Sequence, residues 1–341
     1  MGVADSPFIK ACYGRNDGAI PVWIMRQAGR YLPEYRQVRS KVSFQELCRS
    51  PRLIAEVVRQ PVERFGLDAA ILFSDILTML EPMGAKVSFP DGGPVIGQPI
   101  SMPEDVERLH ACDVRRDLAF VLAGIDEIKQ RLPQTPLIGF AGSPFTLFCY
   151  LVEGKGSKTF DKAKIFLQRY PEAAKRLIDL LTESVANYLN EQVSAGADAV
   201  QLFDSWGGIL AHDDYRRWSA APAERIFATL RSRQVPRIFF VNNVAPYLDL
   251  VREINCEVIG VDYRIDLATA ATALAGKSVQ GNLDPTVLFS GPEVVAARTQ
   301  DILRSLTRHD NLIFNLGHGI LPETPLASVE TMIKTVKNFR S

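Results

Sequence analysis

The sequence predicts an α/β protein of the (β/α)8 TIM barrel class, a single domain over residues 1–341. Three observations carry this. Eight short apolar runs recur along the chain, each ending on a polar or glycine residue and followed by a helical pattern. The runs are continuously apolar rather than alternating, as parallel strands covered on both faces are. The chain is 47% hydrophobic over 341 residues and has no linker or low-complexity break, which suits one large barrel. The competing architecture is an open doubly wound sheet. It would more often split into two domains and carry a phosphate loop near its first strand, and neither G-x-G-x-x-G nor G-x-x-x-x-G-K-[ST] is found after a run.

Taken in order, the first run is Val22 to Met25, ending at Arg26. Ser50-Pro51 then opens a helix, with Ser50 as N-cap and Pro51 at the first helical position. The second run is Ala69 to Asp75, and the Gly- and Pro-rich segment Gly84 to Pro99 reads as a small hairpin. Glu104 to Arg131 is helical in pattern. The third run is Leu137 to Ser143, followed by a loop at Glu153–Ser157 and a long helical region from Phe160 to Ala195. The remaining runs are Ala199–Ser205, Arg237–Asn242, Val258–Asp262, Ser278–Asp284 and Leu312–His318, with a final helix over Leu326–Phe339.

In such barrels chemistry gathers at the C-terminal strand ends. That brings Arg26, Asp75, Ser143, Ser205, Asn242, Asp262, Asp284 and His318 to one mouth. Beside them lies a cationic stretch. Arg26, Arg30, Arg36 and Arg39 fall within fourteen positions, interleaved with Tyr31 and Tyr35 and accompanied by one acid, Glu34. Gly29 and Pro33 argue against one unbroken helix there. A charge run is most often a solvated face. This one starts directly after an apolar strand and has no acidic run to offset it, so a small polyanionic ligand is expected. The guanidinium fork binds both oxygens of a carboxylate.

Two further residues stand out at the mouth. Asp75 follows a strongly apolar strand, and it is read either as a helix-capping carboxylate or as a buried acceptor that stabilises positive charge. His318 sits in Asn315-Leu-Gly-His-Gly319, where the flanking glycines permit close backbone approach to a ligand. Tyr150 taken alone reads as core.

Several function classes lack support. Lys+Arg 39 balances Asp+Glu 39, so no global basic character points to nucleic acid. The five cysteines, Cys12, Cys48, Cys112, Cys149 and Cys256, are scattered without C-x-x-C and read as reduced thiols of a cytosolic protein. No signal-peptide pattern or spanning apolar run is found, so a soluble cytoplasmic protein is expected. No H-E-x-x-H or comparable ligand spacing points to a metal. Ser205, His318 and Asp75 could compose a nucleophilic triad, but no G-x-S-x-G elbow supports one.

The run Met25-Arg-Gln-Ala-Gly-Arg-Tyr-Leu-Pro-Glu34 resembles the signature of the uroporphyrinogen decarboxylases. The likeness continues in family order through Phe73-Ser-Asp-Ile-Leu77, Gly139-Phe-Ala-Gly142, Tyr150-Leu-Val-Glu-Gly154, Leu202-Phe-Asp-Ser-Trp206, Gln280-Gly-Asn-Leu-Asp-Pro285 and Asn315-Leu-Gly-His-Gly319. The resemblance implies a (β/α)8 barrel working as a homodimer without metal or organic cofactor. Such an enzyme converts the four acetate arms of uroporphyrinogen III to methyl groups, giving coproporphyrinogen III in tetrapyrrole and haem biosynthesis. By family position, Arg26, Gln27, Arg30, Arg39, Asp75, Tyr150, Ser205 and His318 bind the substrate. Asp75, Arg26, Tyr150 and His318 are the catalytic candidates, with Asp75 accepting the pyrrole N–H groups, while Arg36 has no assigned part. The proton donor is left open between Arg26, a water and a transiently protonated carboxyl group. One departure stands out: where the family commonly has Lys-Gly or Lys-Asp-Gly after the fifth strand, this chain has Val241-Asn-Asn-Val-Ala245, and Tyr263 replaces a common tryptophan. Two other classes stay in view, a related barrel methyltransferase that would need zinc ligands, and a tetrapyrrole carrier that keeps the pocket without turnover.

Overall fold

The computed structural model describes residues 2–90, 93–231 and 234–340. Its strands are β1 (Ala70–Ile71), β2 (Val87–Ser88), β3 (Val95–Ile96), β4 (Leu137–Gly142), β5 (Ala199–Asp204), β6 (Arg237–Val241), β7 (Val258–Val261), β8 (Ser278–Leu283) and β9 (Leu312–Leu316). Seven of them form one parallel sheet in the order β1-β4-β5-β6-β7-β8-β9. Neighbours in the sheet are successive in sequence, and a helical crossover joins each pair, as right-handed βα units require. β4 and β7 are buried at every position and their sequences run apolar without alternation, whereas the equally buried β8 carries Ser278, Gln280 and Asn282, each hydrogen-bonded inside the fold. The hairpin expected over Gly84–Pro99 exists as β2 and β3, with Val87 opposite Ile96.

The first apolar run forms no strand of its own. Val22 makes an isolated parallel bridge to Phe314 of β9. Around it Phe314 N donates to the Pro21 carbonyl at 2.8 Å, Trp23 N donates to Phe314 at 3.3 Å, and Asp68 N donates to Val22 at 2.9 Å. One edge of this segment therefore meets β9 and the other meets the residue that leads into β1, so the sheet curls until both its edges reach the same stretch of chain. A polar relay crosses the interior at this level. Trp23 Nε1 donates to Gln280 on β8 at 2.9 Å, and Gln280 Nε2 donates to Gln201 on β5 at 3.2 Å.

The helices depart from the expected boundaries in two places, each for a local reason. The segment read as helical from Glu104 to Arg131 is a 3₁₀ turn at Pro103–Arg108, a short helix Val114–Asp117 and a helix Ala119–Arg131. Asp113 starts the second piece by accepting from Arg116 N at 3.3 Å. The long region from Phe160 to Ala195 is two helices, Asp161–Arg169 and Pro171–Ser194, because Pro171 cannot continue a helix but suits a first position. The second run is a strand only at Ala70–Ile71, with Asp75 beyond its end in a turn. The helix at Pro51–Phe65 starts as expected, although the Ser50 hydroxyl makes no capping bond, and the final helix covers Leu326–Asn338. All five cysteines are free and buried. No helix among the described residues is long and apolar enough to cross a membrane.

Candidate active site

Arg26 marks the point where the first run turns into the cationic stretch. Its φ is 65°, a left-handed conformation that costs a non-glycine residue about 1–2 kcal/mol. The surroundings hold it there. Gln27 N donates to Ile24 at 2.8 Å, and Met25 N donates to the Asn315 side chain at 2.9 Å. Strain kept in place by its neighbours in this way clusters where a side chain must be aimed. Here the aimed side chain is an exposed guanidinium that makes no hydrogen bond or ion pair among the described residues.

The other members of the stretch divide into two kinds. Arg30 is exposed and its guanidinium is likewise unpaired among the described residues. Arg39 lies on the helix Pro33–Arg39, donates to the Val42 carbonyl and sits over the Phe44 ring, 5.9 Å from its centroid. Arg36, to which the family comparison gave no part, bonds the Arg30 carbonyl at 2.9 Å and so ties the helix to the loop before it. Gln27 is placed differently from a pocket-lining residue. Its side chain is 1% exposed, accepts from Ile24 N at 3.1 Å and donates to the Ala69 carbonyl at 3.2 Å, pinning the turn to the start of β1.

Asp75 is half-buried just past β1. Oδ1 accepts from Leu77 N at 2.8 Å, and its backbone N–H donates to Thr78 Oγ1 at 3.2 Å. Oδ2 has no hydrogen-bond partner among the described residues, so the carboxylate keeps one oxygen for a ligand. Burial pushes its pKa above the usual carboxylate range, while the Leu77 N–H and the nearby Arg26 charge pull it back. Asp75 lines a cavity of about 420 Å³ together with Phe44, Thr78, Arg49 and Phe89. Tyr150 lies on the helix Pro144–Glu153, edge-on to Trp206 at 6.2 Å between ring centroids. Burial raises its pKa, the Trp206 indole N–H counteracts this, and the charges of Asp75 and Arg26 both reach it. Arg26, Asp75 and Tyr150, from three separate stretches of chain, thus share one electrostatic neighbourhood.

His318 joins them from the end of β9. Its pKa is lowered to about 4, first by burial and then by Arg26 and Arg264, against a smaller opposing effect from Asp262. The imidazole is neutral at physiological pH. The flanking glycines have a physical reason other than room for a ligand. A Cβ on Gly317 would lie 2.4 Å from the Tyr263 nitrogen, and one on Gly319 would lie 2.5 Å from Arg26 Cδ. The glycines let the protein's own Tyr263 and Arg26 close on both sides of the histidine. A prediction follows directly. Followed by NMR, the His318 ring resonances are expected to show no titration between pH 5 and pH 8, and a midpoint near 6.5 would contradict this placement.

Other strand-end residues serve the fold. Ser143 caps the helix Pro144–Glu153, and Asp284 caps the 3₁₀ turn Pro285–Phe289 by accepting from Thr286 N at 2.9 Å. Asp204, fully buried, accepts from Ser143 Oγ at 2.6 Å, Thr146 Oγ1 at 3.1 Å, Gly207 N at 3.2 Å and Ser219 Oγ at 2.5 Å. The loop after β5 is therefore tightly tied, and Ser205 projects from it half-buried with no bond to its hydroxyl among the described residues. Sequence reading missed Arg264. It stands three residues past the end of β7, beyond Asp262 and Tyr263 and so outside the strand-end positions.

Comparison with known proteins bears directly on this arrangement. The model of the family described as uroporphyrinogen decarboxylase (URO-D) matches residues 4–339. The chain belongs to the uroporphyrinogen decarboxylase family. The uroporphyrinogen decarboxylase of Pelobacter propionicus is 47% identical over 334 residues, covering 97% of this chain and 98% of that one. Those of Citrifermentans bemidjiense and Chloroflexus aurantiacus are each 44% identical, over 96% and 97% of this chain and 97% and 95% of their own. A methyltransferase from Methanosarcina mazei has the same fold, with a TM-score of 0.81 at 19% identity over 97% of this chain and 98% of its own. At that identity the likeness speaks for the architecture alone. Among the described residues no three of His, Cys, Asp and Glu come together as a metal site of the kind the methyltransferase reading called for.

Proposed function

We propose that the chain decarboxylates the four acetate side chains of uroporphyrinogen III to methyl groups, giving coproporphyrinogen III. The observation that carries this reading is Asp75. In a chain of this family, its carboxylate has one oxygen fixed by Leu77 N and the other unpaired, with Arg26 beside it and Tyr150 within reach of both charges. A single acceptor at the centre of a cationic mouth suits a macrocycle with N–H groups inside and carboxylates outside.

The chemistry follows from the substrate. Each pyrrole is electron-rich, and protonation of the ring carbon next to the one that bears the acetate arm makes a cationic ring whose positive charge reaches the arm-bearing carbon. The C–CO₂ bond then breaks, its electron pair flows into that ring, and carbon dioxide leaves. The exocyclic methylene that results takes a proton and becomes a methyl group, and the ring carbon gives back the proton it first took to restore the pyrrole, so each round consumes one proton net and releases one carbon dioxide. The pyrrole itself is the electron sink, and on this reading neither a metal nor an organic cofactor enters. Asp75, ionised, accepts the pyrrole N–H groups and stabilises the cation in a partly desolvated site, where a fixed charge is worth more than in water. Arg26, with Arg30 and Arg39, holds carboxylates. Neutral His318, Tyr150 and Ser205 complete the wall, with Gln27 acting through the turn that aims Arg26. A guanidinium is a very weak acid, with a pKa above about 12, so a water or a transiently protonated carboxyl is the easier proton source.

On the same reading Val22–Met25 is the eighth stave of a closed (β/α)8 barrel, residues 1–341 form one domain, and the enzyme works as a cytoplasmic homodimer. The bridge to β9 and the bond from Asp68 support the first of these. The direct test is anaerobic incubation with uroporphyrinogen III, following carboxylate number. Stepwise loss from eight carboxylates to four is expected, and binding without loss would return the protein to the carrier reading. Arg30→Ala is expected to raise KM about tenfold, the effect of one lost charge-assisted contact. Unchanged KM and kcat would place Arg30 on a solvated face.

A further inference from the structure

We propose that Arg264 is a substrate-binding residue that holds a propionate of the macrocycle, positioned for this by Asn242 and Asp262. The inference rests on the decarboxylase reading and concerns the part of the mouth past β7, separated from the Arg26–Arg39 stretch by β8 and β9.

Arg264 is built into its place. Nη1 donates to Asn242 Oδ1 at 2.8 Å and to Asp262 Oδ1 at 3.2 Å. The guanidinium carbon lies 4.6 Å from the centroid of the Tyr263 ring. Asp262 is fully buried, and its two oxygens are fixed by Val244 N at 2.8 Å and Arg264 N at 3.0 Å, so this anchor cannot swing away. Asn242 is steadied in turn by donating to the Ser205 carbonyl at 3.3 Å. All the named bonds are made by Nη1, and the side chain is still 42% exposed. The other guanidinium donors make no bond among the described residues and can meet an oxyanion, and the fork is oriented before a ligand arrives, which removes part of the ordering cost of binding.

Its position ties it to the mouth. Tyr263, one residue before, is the residue on which Gly317 closes, and Gly319 closes on the Arg26 side chain. His318 therefore stands between two arginines, and its low pKa reflects both charges. Asp75 lies just past β1 and Arg264 just past β7, four places away in the curled sheet. Arg264 is thus across the mouth from the carboxylate that serves the reacting ring. A cation there meets arms that are held, not arms that are losing carbon dioxide. The substrate keeps its propionates throughout, and they are the arms that a fixed peripheral fork would grip in every round.

The arrangement also gives the departure after β6 a use. The family commonly carries a lysine in that loop, and this chain carries Asn242 and Asn243. Asn242 supplies no charge, but it accepts from the cation that the next strand provides. The positive charge of this part of the wall is carried from β7, and the asparagine is its support.

The test uses the whole enzyme with coproporphyrinogen, which retains only propionates, as a binding probe, and with uroporphyrinogen as substrate. Arg264→Gln is expected to weaken coproporphyrinogen binding about tenfold and to raise KM by a similar factor with kcat within about twofold, the size of one charge-assisted contact. Arg264→Lys should recover part of the affinity, because the charge returns without the fork. Asn242→Ala should weaken binding less, by about threefold, since it releases the fork without removing it. Unchanged coproporphyrinogen binding in Arg264→Gln, or a fall in kcat at unchanged KM, would overturn the assignment. A wild-type protein that neither binds coproporphyrinogen nor consumes uroporphyrinogen would instead overturn the decarboxylase reading itself.

Discussion

Replacing Asp75 by asparagine is expected to lower kcat by about 10²–10³-fold or more, the range seen when a fixed electrostatic partner of a transition state is removed. The substitution keeps the shape and keeps an oxygen that can accept from Leu77 N, a bond of 2.8 Å. What it removes is the charge that faces the developing cation. The same variant should be no less stable than the parent. Burial raises the Asp75 pKa, so in the carboxylate's titration range the folded state holds more protons than the unfolded chain. Stability from this group is therefore present at low pH and declines as pH rises through the folded pKa. At neutral pH the ionised carboxylate is a cost, and the amide relieves it. Thermal unfolding of Asp75→Asn should start no earlier than that of the parent, while turnover collapses. The parent's kcat/KM should fall on the acid side at a pH above the ordinary carboxylate range. Near-normal turnover in the variant would remove Asp75 from the mechanism.

The largest expected effect on stability lies at Asp204. Its carboxylate gathers Ser143, Thr146, Gly207 and Ser219 with no water access to replace it. These partners begin the helix Pro144–Glu153, hold the loop after β5 and anchor the π-turn Arg216–Ala220. Asp204→Ala would strand the Gly207 N–H and three hydroxyls in a buried cavity. Unsatisfied buried donors cost about 1–3 kcal/mol each, with some relief from hydroxyl rotation, so a loss of about 3 kcal/mol or more is expected. Asp204→Asn should lose less, because its amide oxygen still accepts from Gly207 N and its amide nitrogen can donate to Ser219. Urea unfolding of the three proteins checks the order. A midpoint for Asp204→Ala equal to that of the parent would show that the network carries no net stability.

The barrel-like architecture was legible because its strands are covered on both faces. β4 and β7 can only be read as continuous apolar runs. The helical segments were legible as regions but not as pieces, since the patterns through Pro171 and around Asp113 stay amphipathic across a break that depends on one proline or one cap. At the mouth, the strand-end rule singled out Arg26, Asp75 and His318, and the Arg26 charge acts on both of the others. It could not tell a ligand-facing polar residue from a structural one. Ser143, Asp204 and Asp284 occupy the same kind of position, yet their oxygens are consumed by helix starts and loop ties. Gln27 shows the same ambiguity within a signature motif, because both ends of its amide serve the backbone. The glycines around His318 have a packing role that the sequence did not show, since Tyr263 and Arg26 take the space a Cβ would fill. Arg264 escaped because its setting depends on Asn242 and Asp262, partners that only the folded sheet brings together.

The central claim is that Asp75 is the acceptor for the pyrrole N–H groups of a carboxylated macrocycle held in the mouth. A crystal structure of the enzyme with coproporphyrinogen, prepared without oxygen, tests it most directly. The expected result places Asp75 Oδ2 within about 3.2 Å of pyrrole nitrogens, with the propionates reaching the surrounding arginines. A macrocycle bound with its nitrogens turned away from Asp75, or seated outside the mouth, would contradict the account.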